Sequence, residues 1–405
     1  VPNASRISFV TELAEAWVKL RKTPEQERKV ALILANYPNR DGRLANGVGL
    51  DTPASTIEVM KVLRGAGYDI EGEPQSASEL MSHLTKGPTN DRTKALTQCG
   101  KFLSYDDYLT FFEALPEETR GKIEDRWGAP EKDPFFEDDH AEGPGFHLAI
   151  HSFGNVVAGI QPARGYQIDP EETYHSPDLP PPHGYLAFYA WLRRDFGAHA
   201  VVHLGKHGNL EWLPGKALSL SESCFPEAIL GPLPHLYPFI VNDPGEGTQA
   251  KRRTSAVIID HLTPPLTRAE SYGPLRDLET LVDEYYEAAG VDARRLPLLR
   301  RAILDAAASA GLDREGLYDP ANEDEAITAL DNYLCELKEM QIRDGLHIFG
   351  VSPGNRLLTD LTIAIARAPR GHGEGEDASL LRAMSEDLGF DSFDPLDCRL
   401  GERWE

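Results

Sequence analysis

The segment His203-Leu-Gly-Lys-His207-Gly-Asn-Leu-Glu211-Trp-Leu-Pro-Gly-Lys216 sets an imidazole, a second imidazole and a carboxylate at four-residue intervals. Nitrogen and oxygen donors of this kind ligate zinc, cobalt, nickel and iron. The same groups accept protons near neutral pH, so His203, His207 and Glu211 are candidates both for catalysis and for holding a metal. Gly205 and Gly208 allow a tight turn and a close backbone approach to a ligand. The competing account makes His203 a satisfied core histidine at a strand end. Glu211 would then be a carboxylate in the first turn of a helix, where the dipole favours it.

Two polar loops could meet a carboxylate- or amide-bearing ligand. The run Tyr37-Pro-Asn-Arg40-Asp-Gly-Arg43-Leu-Ala-Asn46-Gly-Val-Gly-Leu-Asp51 combines guanidinium forks, amides and glycines; Arg40, Arg43 and Asn46 are its binding candidates. A second loop, Gln161 to Pro182, offers Arg164 and Tyr166. The basic cluster Lys251-Arg252-Arg253 is either a solvated turn or a further carboxylate site. Gly215-Lys216 invites a phosphate-loop reading, but Leu210 and Ala217 stand where that motif needs glycine and a hydroxyl residue. Nucleotide hydrolysis would therefore fall to another protein. Gly245-Glu-Gly-Thr-Gln-Ala250 resembles a dinucleotide fingerprint, but the stretch from Thr248 to Thr254 is too short for a helical crossover; the expected structure is a tight turn.

The elements that must position these residues read as α/β. Val30–Ala35 and Ala198–Leu204 are apolar runs without alternation, as in strands buried on both faces. Further strands are expected at 146–160, 237–241 and 256–260. Helices are expected over Phe9–Lys22 with an amphipathic face, from a Thr52 cap through Gly65, near 76–85, 105–114 and 116–126, over Gly184–Phe196, and from Arg268 to Met340 with Leu275, Leu278, Leu281 and Val282 on one face. Alternating strands and helices predict mostly parallel sheets flanked by helices, with a largely helical C-terminal part. Three domains are expected: 1–145, 146–267 with the His203-His207-Glu211 motif, and 268–405.

The chain has 405 residues, 65 of them acidic and 41 basic, for a net charge of −24. That balance argues against nucleic acid and against an anionic membrane surface, and no stretch reads as a transmembrane helix. Four scattered cysteines form no CxxC pair, which disfavours a zinc ribbon or disulfide framework and suggests a reducing cytoplasm.

Several of these runs, taken in order, resemble the large subunits of the cobaltochelatase and magnesium chelatase family. They are Ala35-Asn-Tyr-Pro-Asn-Arg-Asp-Gly-Arg43, Gly47-Val-Gly-Leu-Asp-Thr-Pro-Ala-Ser55, Gly159-Ile-Gln-Pro-Ala-Arg-Gly-Tyr-Gln-Ile-Asp-Pro170, Pro182-His-Gly-Tyr-Leu-Ala-Phe-Tyr189, His203–Lys216 and Val241-Asn-Asp-Pro-Gly-Glu-Gly-Thr-Gln-Ala-Lys-Arg-Arg253. The resemblance implies insertion of cobalt(II) into hydrogenobyrinic acid a,c-diamide in aerobic cobalamin biosynthesis. It implies an AAA+ ATPase subunit and a further subunit as partners, with ATP hydrolysed there. It also implies that this chain, which begins at Val1, is a central portion of a longer subunit. Within it, His203, His207 and Glu211 would hold cobalt and take ring protons. Arg40, Arg43, Asn46, Arg164, Tyr166, His183, Arg252 and Arg253 would bind the polycarboxylate substrate, and Tyr185, Tyr189, Trp191 and Trp212 could pack on the macrocycle. The alternatives are a magnesium chelatase subunit acting on protoporphyrin IX, a stand-alone zinc or iron hydrolase, and a noncatalytic scaffold.

Overall fold

The computed structural model describes residues 3–36, 44–45, 47–165, 178–206, 208–263, 294–309, 346–389 and 394–397, together with scattered positions from 277 to 334. Among the described residues the main sheet has six strands: β1 (Val30–Leu34), β5 (Ile150–Phe153), β6 (Val156–Ile160), β7 (Ala200–Leu204), β8 (His235–Ile240) and β9 (Val257–His261). Their order is β5-β6-β1-β7-β8-β9, parallel throughout except for the edge strand β5. β1 thus lies between strands more than 120 residues away in sequence, and the sheet draws on both sides of residue 145.

Two-residue periodicity divides the buried strand β1 between two cores. Ala31 and Ile33 face a core built with the helix His183–Arg193. Val30, Leu32 and Leu34 face another that includes Ile57 and Met60 of the helix Thr52–Gly65, with Leu80 and Leu84 of Ala77–Thr85. The helix 183–193 is apolar almost all round because it is covered on both sides: it also meets β4 (Gly145–Leu148) and the helix Tyr105–Glu113. β4 is the middle strand of a second, antiparallel sheet with β2 (Lys101–Ser104) and β3 (Phe136–Glu137). Near the C-terminus, Leu278, Val282, Ile303, Ala307, Leu330 and Leu334 form a separate helical cluster, with Leu281 packed against it; Leu275 lies outside the described residues.

The first helix runs Ala4–Lys22 and, as its amphipathic pattern predicts, has a half-buried face of Phe9, Leu13, Ala16, Trp17 and Leu20. Two expectations are corrected. Asp51, not Thr52, caps the second helix, its carboxylate accepting the Ala54 N–H at 2.9 Å. Residues 244–250 are not a tight turn. They belong to the helix Pro244–Arg253, capped by the Asp243 side chain, which links β8 to a parallel β9. Proline at the first helical position and aspartate at the cap start the helix four residues before Thr248. The glycines then fall inside its first turns, and ten residues suffice for the crossover. Among the described residues no helix is long and apolar enough to cross a membrane.

Candidate active site

Parallel strands present their carboxyl ends to a common edge, where ligands bind in open α/β sheets. His203 sits one residue from the end of β7, paired with Ile33 of β1, and shares a face with Val201. It is 2 % exposed. Its Nε2 lies 3.0 Å from Tyr189 Oη and its Nδ1 2.7 Å from His235 Nε2, while His235 Nδ1 lies 3.0 Å from Thr254 Oγ1. Thr254 donates its own proton to Ala250 O at 2.8 Å. This fixes the direction of the chain: His235 Nδ1–H donates to Thr254, His203 Nδ1–H donates to His235, and Tyr189 donates to His203 Nε2. Gln161 Nε2 completes the series, donating to Tyr189 Oη at 3.2 Å. Both histidines are neutral in this arrangement. Burial pushes His235 down to about 4 and His203 well below its usual range.

Glu211 lies in a short 3₁₀ turn, Leu210–Trp212, and is also 2 % exposed. Its Oε1 accepts the Tyr237 hydroxyl at 3.2 Å, and that hydroxyl in turn accepts the Gly208 N–H. A Cβ on Gly208 would stand 2.9 Å from Tyr237 Oη and 3.2 Å from Glu211 Oε2, so the loop closes this tightly only because residue 208 is glycine. Burial raises the Glu211 carboxyl to about 7. Tyr237 bridges the two parts of the site: its ring centroid is 5.9 Å from that of His203.

The loop that carries Glu211 is clamped from behind. Arg253 donates to the carbonyls of Glu211 (2.6 Å), Leu213 (2.8 Å) and Lys216 (3.1 Å). In front, Gly205 (φ +93°) meets Gly47, and Val48 N–H donates to Lys206 O at 2.9 Å. An added Cβ at Gly205 would come within 2.9 Å of Thr52 Oγ1 and 3.1 Å of Gly47 Cα. Beyond Gly205, Lys206 Nζ pairs with Asp243 and lies 3.4 Å from Glu246. At the end of β1, both polar atoms of the Asn36 side chain, 3 % exposed, lack a hydrogen-bond partner among the described residues, as does Thr52 Oγ1.

The structure brings His203 and Glu211 to the same edge. His207, Arg40, Arg43, Asn46 and Tyr166 lie outside the described residues. Arg164 is buried behind the edge; burial lowers its guanidinium to about 10, and Glu211 and Tyr185 are among the groups that act on it. Arg252 is exposed on its helix. His183 begins the helix 183–193, with Nδ1 bonded to the Tyr108 hydroxyl and Nε2 2.9 Å from Gly128 O. Tyr185, Tyr189 and Trp191 are core residues, although the Tyr185 hydroxyl reaches Asn209 Oδ1 at 2.7 Å. Sequence reasoning missed His235, Tyr237, Gln161 and Asn209. Alternation in β8 offered a signal for the first two: residues 235 and 237 share a face.

Comparison with known proteins gives consistent matches. The family model described as CobN/Magnesium Chelatase matches residues 1–403. The chain is 58 % identical to the aerobic cobaltochelatase subunit CobN of Sinorhizobium sp., over 100 % of this chain and 32 % of that protein. It is 55 % identical to the subunit of the same name from Pseudomonas aeruginosa, over 99 % of this chain and 32 % of that protein. A magnesium-chelatase subunit of Chlorobaculum parvum is 32 % identical over 85 % of this chain and 27 % of that protein. Among solved structures, the catalytic subunit of cobaltochelatase from Mycobacterium tuberculosis superposes with a TM-score of 0.68 at 39 % identity, covering 97 % of this chain and 33 % of that one. The chain therefore spans about a third of the length of the cobaltochelatase relatives it matches.

Proposed function

Because the chain belongs to the CobN/magnesium chelatase family, we propose that it carries the chelation edge of a cobaltochelatase large subunit, acting on hydrogenobyrinic acid a,c-diamide in cobalamin biosynthesis. The observation that carries this reading is Glu211: a buried carboxyl, hydrogen-bonded to Tyr237 and titrating at about 7, at the carboxyl edge of a parallel sheet. Inserting a divalent ion into a tetrapyrrole requires a base for the ring N–H protons and a donor set for a partly dehydrated ion. A carboxyl poised near neutral pH suits the first task. Imidazole with carboxylate suits the second for cobalt(II).

In this reading Glu211 takes a ring proton, and the Tyr237 hydroxyl stabilises the carboxylate before transfer. His207, adjacent to Gly208, and Glu211 are the proposed metal donors. His203 would have to give up its bond from Tyr189 to join them, so its proposed part is to hold Tyr189 and His235 in position. Arg40, Arg43, Asn46, Arg164 and Tyr166 are proposed to meet the substrate's carboxylates and amides, with His183 and Arg252 as outer candidates. Arg253, with donors on three carbonyls, is proposed to hold the Glu211 loop. No phosphate loop is present in the sequence, so ATP hydrolysis is assigned to an AAA+ partner with its companion subunit. The proposed compartment is the cytoplasm.

Cobalt is preferred to magnesium because the cobaltochelatase relatives are 55–58 % identical and the magnesium-chelatase relative 32 %, and because magnesium favours all-oxygen sites. Titration of the full chain with hydrogenobyrinic acid a,c-diamide and with protoporphyrin IX, followed by visible absorbance, tests this choice. The corrin precursor is expected to bind at least about tenfold more tightly, a difference of about 1.4 kcal/mol. Preference for protoporphyrin IX would overturn the assignment.

A further inference from the structure

The antiparallel sheet gathers a second set of ligand-type side chains that the chelation site does not use. β3 ends in Glu137, the following loop carries His140, and β4 carries His147. One ligand atom from each of the three lies within 4.8 Å of the other two. Glu137 Oε2 and His147 Nε2 are 2.6 Å apart. The antiparallel register pairs Glu137 with Gly145, and His147 N–H is tied to Phe135 O at 2.9 Å, so the carboxylate and the imidazole are held by the sheet itself.

The surroundings prepare the third ligand as well. The His140 ring stacks on Phe102 at 3.8 Å and stands edge-on to His147 at 5.3 Å. Gln98 bridges two of the ligands, its amide N–H donating to Glu137 Oε2 at 3.2 Å and its carbonyl facing His140 Nε2 at 3.1 Å. The Glu142 N–H donates to His140 Nδ1 at 3.2 Å. These contacts orient the ligands much as outer partners do around metal sites. The carboxylate of Glu137 keeps 26 % of its surface and His140 is half-buried, while His147 keeps 3 %, so the cluster opens to solvent on the side of Glu137 and His140.

We propose that Glu137, His140 and His147 form a binding site for a divalent transition-metal ion of the zinc and cobalt class, separate from Glu211. Two imidazoles and one carboxylate with an open fourth position make a three-ligand set of the type that zinc adopts with a water or substrate ligand. The nitrogen donors select such ions over magnesium and calcium. On binding, the ion would replace the Gln98 contact at His140 Nε2, and the ring proton would move to Nδ1, which gives up the bond from the Glu142 N–H.

The test is a titration of the full chain with cobalt(II) alone, followed by the visible d–d bands of a low-coordinate ion, with zinc(II) as competitor. Wild type is expected to show a cobalt site that zinc displaces and magnesium does not. Glu211→Gln is expected to retain it. In the Glu211→Gln background, which removes the proposed donor at the sheet edge, His140→Ala, at a half-buried loop position, is expected to abolish the bands, and Glu137→Gln to weaken binding by about tenfold or more. His147→Ala removes a buried ring, so its circular dichroism is checked beside it, and His140→Ala decides the matter if it unfolds. Unchanged bands in His140→Ala, or bands lost in Glu211→Gln but kept in His140→Ala, would overturn the proposal, as would absence of any zinc-displaceable site in wild type.

Discussion

Replacing Tyr237 by phenylalanine removes one oxygen, and with it two hydrogen bonds: the one donated to Glu211 Oε1 at 3.2 Å and the one accepted from the Gly208 N–H. A hydrogen bond to a charged group contributes about 1.5–3 kcal/mol, so its loss disfavours the carboxylate by about one to two pH units. The Glu211 carboxyl, already raised to about 7 by burial, then titrates about one to two units higher. At pH 7 the ionised fraction falls from about half to about a tenth or less, and cobalt insertion is expected to fall about fivefold or more. At pH 9 most of the loss is recovered. The assay is the pH profile of kcat/KM for cobalt insertion in the reconstituted complex. Its acid limb, set by the proton acceptor, is expected to move upward in the variant. The unpaired Gly208 N–H costs about 1–3 kcal/mol of stability, so thermal unfolding must show the variant folded at the assay temperature. An acid limb that stays in place in a folded variant would refute the assignment of Glu211 as the proton acceptor.

Four further outcomes follow from the same contacts. The Glu211 carboxyl titrates higher folded (about 7) than unfolded, so the stability of its neutral form is full below pH 4.5 and lost as pH rises through 7; Glu211→Gln is expected to be more stable than wild type at pH 8, by about 3 kcal/mol at most, and to converge with it near pH 4.5 in urea unfolding. His235 has the opposite sign: its pKa is depressed to about 4, so its contribution is present above pH 6.5 and lost as pH falls through 4; in the Glu211→Gln background, His235→Leu is expected to flatten the acid side of the stability profile while lowering stability at pH 7. Arg253→Met frees the carbonyls of 211, 213 and 216 and is expected to cost about 3 kcal/mol or more, with Arg253→Lys a poor substitute because ammonium lacks the planar fork; chemical unfolding of both variants checks this. Gly205→Ala forces a Cβ at φ +93° to within 2.9 Å of Thr52 Oγ1 and is expected to lose about 1–3 kcal/mol in thermal unfolding.

The central strands of the main sheet were readable because burial on both faces leaves an uninterrupted apolar run: Val30–Leu34 and Ala200–Leu204 emerge where such runs stand. The position of His203 at a strand end followed directly. The helix Pro244–Arg253 was not readable, because Pro-Gly-Glu-Gly has the composition of a turn and only the Asp243 cap with Pro244 behind it marks it otherwise. The antiparallel sheet escaped because β3 is two residues long and β2 four, too short to show alternation. Motif spacing singled out Glu211 as a candidate but not the side chains that surround it. Tyr237 and Arg253 reach it across 26 and 42 residues of chain, the first from β8 beside β7 and the second from the helix that follows β8.

Single-turnover cobalt insertion into hydrogenobyrinic acid a,c-diamide, by the reconstituted complex carrying Glu211→Gln, tests the account most directly when tetrapyrrole binding is followed separately by tryptophan fluorescence. Binding is expected to change little, while insertion at pH 7 falls by about a hundredfold, the scale of a lost general base. Insertion at the wild-type rate by a variant that binds the tetrapyrrole normally would contradict it.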